Sequence, residues 1–236
     1  LEMQRELGDP KEIANALYNH GLVVAFTAGR VAEDIELEDL EAIFDEAESI
    51  YLELGDVGGL GNIEWARGTA VAFILENPDE ASEHMKKAID YYSQAGNEFG
   101  MGWGLFEVGE MARRSERFEE AWEYLRRGLA LFESHGDVSA AVLFIAGIAG
   151  VAQGLGDMQR AARLAGAFTT LRITSGTDLV DYETNQVSGL DFESLEALTG
   201  DLALAYRNGR AMGFDQAVTY ALAGPVDEGF ETQRAQ

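Results

Sequence analysis

The stretch Ala88-Ile89-Asp90-Tyr91-Tyr92-Ser93-Gln94-Ala95-Gly96-Asn97 decides the fold. Its apolar residues recur every three or four positions, the spacing of one helix face, and glycine followed by asparagine is where such a helix stops. The phrase returns twice, as Ala47-x3-Tyr51-x3-Gly55-Asp56 and as Gly128-x3-Phe132-x3-Gly136-Asp137. The glycines stand 41 and 40 residues apart, which marks an internal repeat of that length.

Each unit carries two helical patterns. The spacing predicts a first helix over 57–75, 98–115 and 138–155, and a second over 78–95, 117–135 and 158–175. Pro78 sits where a first-turn proline is tolerated, and Gly or Asn after each second helix supplies its left-handed stop. Aligned at a period of 40, Trp65, Leu105 and Ile145 share a column, as do Gly68, Val108 and Ile148, then Thr69, Gly109 and Ala149, then Ala81, Ala121 and Ala161. Small residues in such columns let paired helices approach, and large ones fill the gap to the next pair. An earlier unit runs from Pro10, with Leu17-x2-His20-Gly21 in its first helix and 40–54 as its second.

Leu105-x2-Val108-Gly109-x2-Ala112 followed by Ala121-x3-Leu125, and less fully Trp65 followed by Ala81-x3-Met85, resemble the tetratricopeptide (TPR) pattern. The expected fold is therefore all-α: a TPR-like right-handed solenoid of helical hairpins with an atypical C-terminal helical cap. Residues 10–175 give four hairpins. Residues 1–9 read as the tail of an upstream repeat helix, so the natural polypeptide is expected to extend further in that direction. Beyond Ser175 the repeat breaks; 176–223 form the cap, irregular or weakly helical over 177–189, with one or two helices over 192–208 and a short last one over 214–223, and 224–236 are a flexible tail.

Composition narrows the function. The 236 residues hold 42 acids against 17 bases, a net charge of -25, which repels phosphate backbones and anionic headgroups. No direct nucleic-acid binding and no membrane association are expected. Absence of cysteine removes disulfides, thiolate metal sites and thiol nucleophiles, and fits a cytoplasmic location. With 47% hydrophobic residues a sizeable core is available, and only 3 prolines favour long helices.

The stretch Arg160-Ala161-Ala162-Arg163-Leu164-Ala165-Gly166-Ala167, followed by Tyr206-x2-Gly209-Arg210-Ala211-Met212-x3-Gln216-Ala217-Val218-x2-Tyr220-Ala221-Leu222, resembles the extreme C-terminus of large bacterial signalling regulators. These join a STAND-type ATPase core to TPR-like repeats and to a LuxR-type helix-turn-helix or an adenylate-cyclase domain. The resemblance implies a sensor or scaffolding segment that holds the ATPase core off, or releases it when a partner binds. This sequence itself has no Walker loop and no basic recognition helix.

Catalytic machinery is not expected. Gly58-Gly59-x-Gly61 and Gly100-x-Gly102-x-Gly104 suggest phosphate loops superficially, but neither follows a strand; both open the first helix of a repeat, where glycine permits close packing. His20, His84 and His135 lie in different hairpins at no ligand spacing, and no G-x-S-x-G elbow exists. No enzyme activity, metal or cofactor is expected.

Two features point to partners. Nine acids fall between Glu33 and Glu48, and no basic residue stands between Arg30 and Arg67. Such a run is ordinarily a solvated helix face, and otherwise a docking patch for a basic partner, another domain of the same polypeptide included. The first helices of the hairpins should line a concave groove carrying Tyr18, Leu22 and Phe26, then Ile63, Ala66, Phe73 and Ile74, then Trp103, Phe106, Glu110, Arg113 and Arg114, then Leu143, Ala146 and Gln153. The same stripe serves equally as inter-repeat core. Arg113 and Arg114 beside aromatics would hold a peptide carboxylate or acidic ligand. The expected function is a non-catalytic protein-interaction or sensor module of a larger signalling or transcription regulator, with self-association through the open N-terminal repeat face as a further partner. The alternative is a small-molecule or peptide receptor using that groove.

Overall fold

A computed structural model describes residues 5, 8–28, 37–176 and 199–224. Among these, all regular structure is helical: α1 (Pro10–Ala28), α2 (Leu37–Leu54), α3 (Val57–Ala70), α4 (Pro78–Ala95), α5 (Glu98–Arg114), α6 (Phe118–Ser134), α7 (Val138–Gly154), α8 (Met158–Ser175), α9 (Gly200–Arg210) and α10 (Phe214–Leu222). The expected upstream helix tail at 1–9, most of the acidic linker at 31–38, the irregular cap segment at 177–189 and the tail at 224–236 lie largely or wholly outside the described residues.

The helices end in one recurrent way. Backbone with positive φ occurs at Gly55, Glu76, Gly96, Glu116, Gly136, Gly156 and Gly176, each twenty or twenty-one residues after the last. At five of these ends the residue after the left-handed one donates its N–H to the carbonyl five positions back: Asp56 to Tyr51, Asn97 to Tyr92, Arg117 to Ala112, Asp137 to Phe132 and Asp157 to Ala152, at 2.8–3.0 Å. The same residue then starts the following helix. Side chains of Asp56, Asn77, Asn97, Asp137 and Asp157 accept from the N–H three positions on, at 2.9–3.3 Å. Arg117 makes no such cap. Two residues thus stop one helix, cap the next and fix the bend between them.

The expected first helix over 57–75 is observed with one difference. Its last turn, Val71–Leu75, is a π-helix ending at Glu76, which has φ of 51°. Pro78 and the Asn77 cap begin α4 two residues later, so the chain must stop within a fixed length. The wider turn buries Val71 and packs Ile74 on the core, and it leaves Phe73 pointing outward.

The chain forms two compact units, Leu1–Met111 and Ala112–Gln236. In the first, α1 packs on both α2 and α3, α2 on α3, and α3 on α4. Phe44, Tyr51, Leu17, Leu40 and Ile63 are fully buried in its core. Four glycines of the two clusters are notches for large side chains. A Cβ on Gly59 would strike the Tyr51 ring, on Gly61 or Gly100 the Tyr92 ring, and on Gly104 the Ile89 side chain. In the second unit α6 packs on α7, α7 on α8 and α8 on α9, and α10 rests on α6, α7 and α8.

Candidate interaction surface

The proposed groove residues of the first unit separate into core and surface. Ile63 and Ala66 are fully buried, and Phe106 and Glu110 are buried as well. Tyr18 and Leu22 are half-buried against the core of α1 to α3, and burial pushes the Tyr18 hydroxyl above its ordinary pKa. Phe26, one turn further along α1, is exposed and meets exposed Phe73 edge-to-face with ring centroids 5.5 Å apart. On α5, half-buried Trp103 lies edge-on to both Phe99 and Phe106, at 6.2 and 5.8 Å.

Arg113 and Arg114 belong to the second unit, in the last turn of α5, half-buried and exposed respectively. In α7 of that unit Leu143 and Ala146 are buried and Gln153 is exposed. Within the first unit most of the predicted stripe is therefore buried or half-buried, and Phe26 with Phe73 forms an open aromatic pair.

The acidic run has an internal partner that spacing alone did not reveal. Glu41, Asp45 and Glu48 share one face of α2, and Arg67 of α3 reaches all three: Nε to Glu41 at 3.0 Å, and an Nη atom to Asp45 at 2.7 Å and Glu48 at 2.8 Å. Burial opposes the charge on Arg67, yet the carboxylates outweigh it and hold the guanidinium protonated well beyond its usual range. Beyond Arg67 stands Glu64, whose carboxylate takes His84 Nδ1 at 2.7 Å and Lys87 Nζ at 3.9 Å. Burial alone would raise Glu64; the bond from His84 and the nearby cations bring it below the ordinary carboxylate range. The signal lay in the sequence, since Arg67 is the first base after the acidic run.

In the second unit, buried Arg160 donates to the carbonyls of Tyr220 at 2.7 Å and Ala221 at 3.1 Å, closing the end of α10, and its guanidinium lies 4.8 Å from the Tyr220 ring centre. Gly166 and Gly209 bring α8 and α9 into backbone contact: a Cβ on the first would strike the Tyr206 carbonyl, and on the second the Arg163 carbonyl. A cleft of about 910 Å³ opens beside this crossing. Val138, Leu171, Met212 and Phe214 give it an apolar lining, and Ser139, Thr170, Thr174 and Ser175 contribute hydroxyls.

Among the described residues no cluster of His, Asp and Glu side chains forms a metal-binding group, and no helix is long and apolar enough to cross a membrane. The chain matches no protein-family model, and no curated protein matches it.

Proposed function

We propose that this chain is a non-catalytic helical-repeat module, TPR-like in its stacking, which binds a protein or peptide partner and relays that binding within a larger signalling regulator. The carrying observation is the cadence of left-handed residues every twenty or twenty-one positions from Gly55 to Gly176, with α1 touching both its next and its next-but-one helix. Similar stops at a near-constant interval give successive helices similar lengths, and repeats packed on their neighbours leave side surface open to partners. The charge of -25 favours partners of opposite sign.

The resemblance to STAND-type regulators supports placing the module at the regulatory end of such a protein. Its two phrases contain Arg160, Gly166, Gly209 and Tyr220, which build the α8–α10 packing, so their role in this reading is architectural.

A second reading, a small-molecule receptor, is favoured by the cleft beside Leu171 and Phe214. Thermal denaturation against a panel of synthetic peptides and a panel of small metabolites separates the two. A ligand that binds only the folded chain raises Tm by mass action. Stabilisation by peptides supports the interaction module; stabilisation by metabolites alone, abolished by Phe214→Ala, supports the receptor.

A further inference from the structure

We infer that the exposed aromatic pair Phe26–Phe73, with its acidic flank, is a docking site for a basic amphipathic helix. This rests on the interaction-module reading and names the surface and the partner chemistry.

Three large apolar side chains lie open here: Val23 is 60% exposed, and Phe26 and Phe73 are each 42% exposed. Val23 and Phe26 are neighbours on α1 at a spacing of three, and the contact between the two rings ties the end of α1 to the π-helical turn. The π turn sends Val71 and Ile74 inward and Phe73 outward, at a chain bend whose left-handed residue is Glu76 and not glycine. Widened turns of this kind concentrate at functional positions.

Charge selects the occupant. Beyond Phe73 the chain presents Glu76, Asp79, Glu80 and Glu83 without an intervening base, and α1 carries no base in its last turn. Lys86, the first base after Arg67, bonds Glu83 at 3.0 Å. An apolar pair followed along the chain by four acids suits a helix carrying aliphatic or aromatic anchors on one face and Lys or Arg beside them. An acidic peptide would meet repulsion from these acids.

The test uses the whole chain and three synthetic helices: one of Leu and Lys with the leucines on one face, its Leu/Glu counterpart, and a Lys/Ser peptide of the same charge without the apolar face. Binding is followed by calorimetry at low and high salt. The Leu/Lys peptide should bind, the other two should not, and Phe26→Ser with Phe73→Ser should weaken binding at least ~10-fold with unchanged circular dichroism. As a check independent of packing, Glu76→Asn with Glu80→Gln should weaken binding at low salt and flatten its salt dependence. Equal binding to wild type and the double serine variant, equal binding of the Lys/Ser peptide, or no binding of the Leu/Lys peptide would overturn the inference. So would Phe26-dependent self-association in the ultracentrifuge, which would make the occupant a second copy. Binding of the Leu/Glu peptide instead would also overturn it, yet would leave the interaction-module reading standing.

Discussion

The Tyr92 hydroxyl donates a 2.9 Å hydrogen bond to Asn62 Oδ1, joining the second helix of one pair to the first helix of the same pair. Tyr51 makes the matching bond to Asn15 at 2.8 Å. Forty residues on from Tyr92 stands Phe132, with no hydroxyl, and forty on from Asn62 stands Gly102, with no acceptor side chain. The third phrase thus lacks both partners of this bond. A double-mutant cycle of Tyr92→Phe and Asn62→Ala should give single losses of about 1 kcal/mol each and a coupling of about 0.5–1 kcal/mol. Strict additivity in urea denaturation would show that the bond contributes nothing.

Arg67 gathers three carboxylates from α2, so its removal leaves like charges facing one another. Arg67→Ala should cost about 2 kcal/mol, a figure held down by the exposure of Asp45. Arg67→Lys keeps the charge without the planar fork and should recover only part of the loss. Because salt screens the stranded acids, raising it should stabilise the alanine variant more than the wild type; parallel urea curves at low and high salt measure the difference.

The α8–α9 crossing tolerates no side chain at Gly209. Gly209→Ala places a Cβ against the Arg163 carbonyl, a backbone atom that cannot swing aside, and should cost about 2–3 kcal/mol. Gly58→Ala, whose Cβ meets only ordinary contacts at 3.5 and 3.7 Å, should be neutral or stabilising by about 0.5 kcal/mol through helix propensity. Calorimetric Tm values of the two variants make the comparison.

Alkaline pH should unfold the first unit. Burial first, and then the neighbouring Asp56 charge, pushes the Tyr51 hydroxyl up to about 12, and burial raises Tyr92 and Tyr18 too. An unfolded tyrosine ionises near its ordinary value of about 10. The native state therefore keeps protons that the unfolded state has released. The stabilisation is complete below pH ~10 and is lost as pH rises toward ~12, by about 1.4 kcal/mol per pH unit for each protected hydroxyl. Tyrosinate absorbance should rise together with loss of helical circular dichroism, and Tyr51→Phe should make the decline less steep.

Much of the fold was legible because the stops and starts are local chemistry. Pro78 to Ala95 and Met158 to Ser175 were predicted to the residue, since an Asx cap or first-turn proline opens each and a glycine closes it. Glu76 and Glu116 adopt the same left-handed backbone with no glycine to announce it, so the equal spacing of stops emerged only from dihedral angles. The site was less legible because burial is decided between helices. Ile63 and Phe73 looked alike on one apolar stripe, but α1 and α2 cover the first, and the π turn releases the second. The grip of Arg67 on Glu41, Asp45 and Glu48 is likewise a property of two helices in register.

In the proposed repeat architecture each helix pair is held by its neighbours. Native-state hydrogen exchange of Gly209→Ala tests this most directly. Amides of α8, α9 and α10 should lose protection by the full destabilisation while those of α1, α2 and α3 keep theirs. Equal loss of protection in every helix from α1 to α10 would describe a single closed cooperative core and would contradict the account.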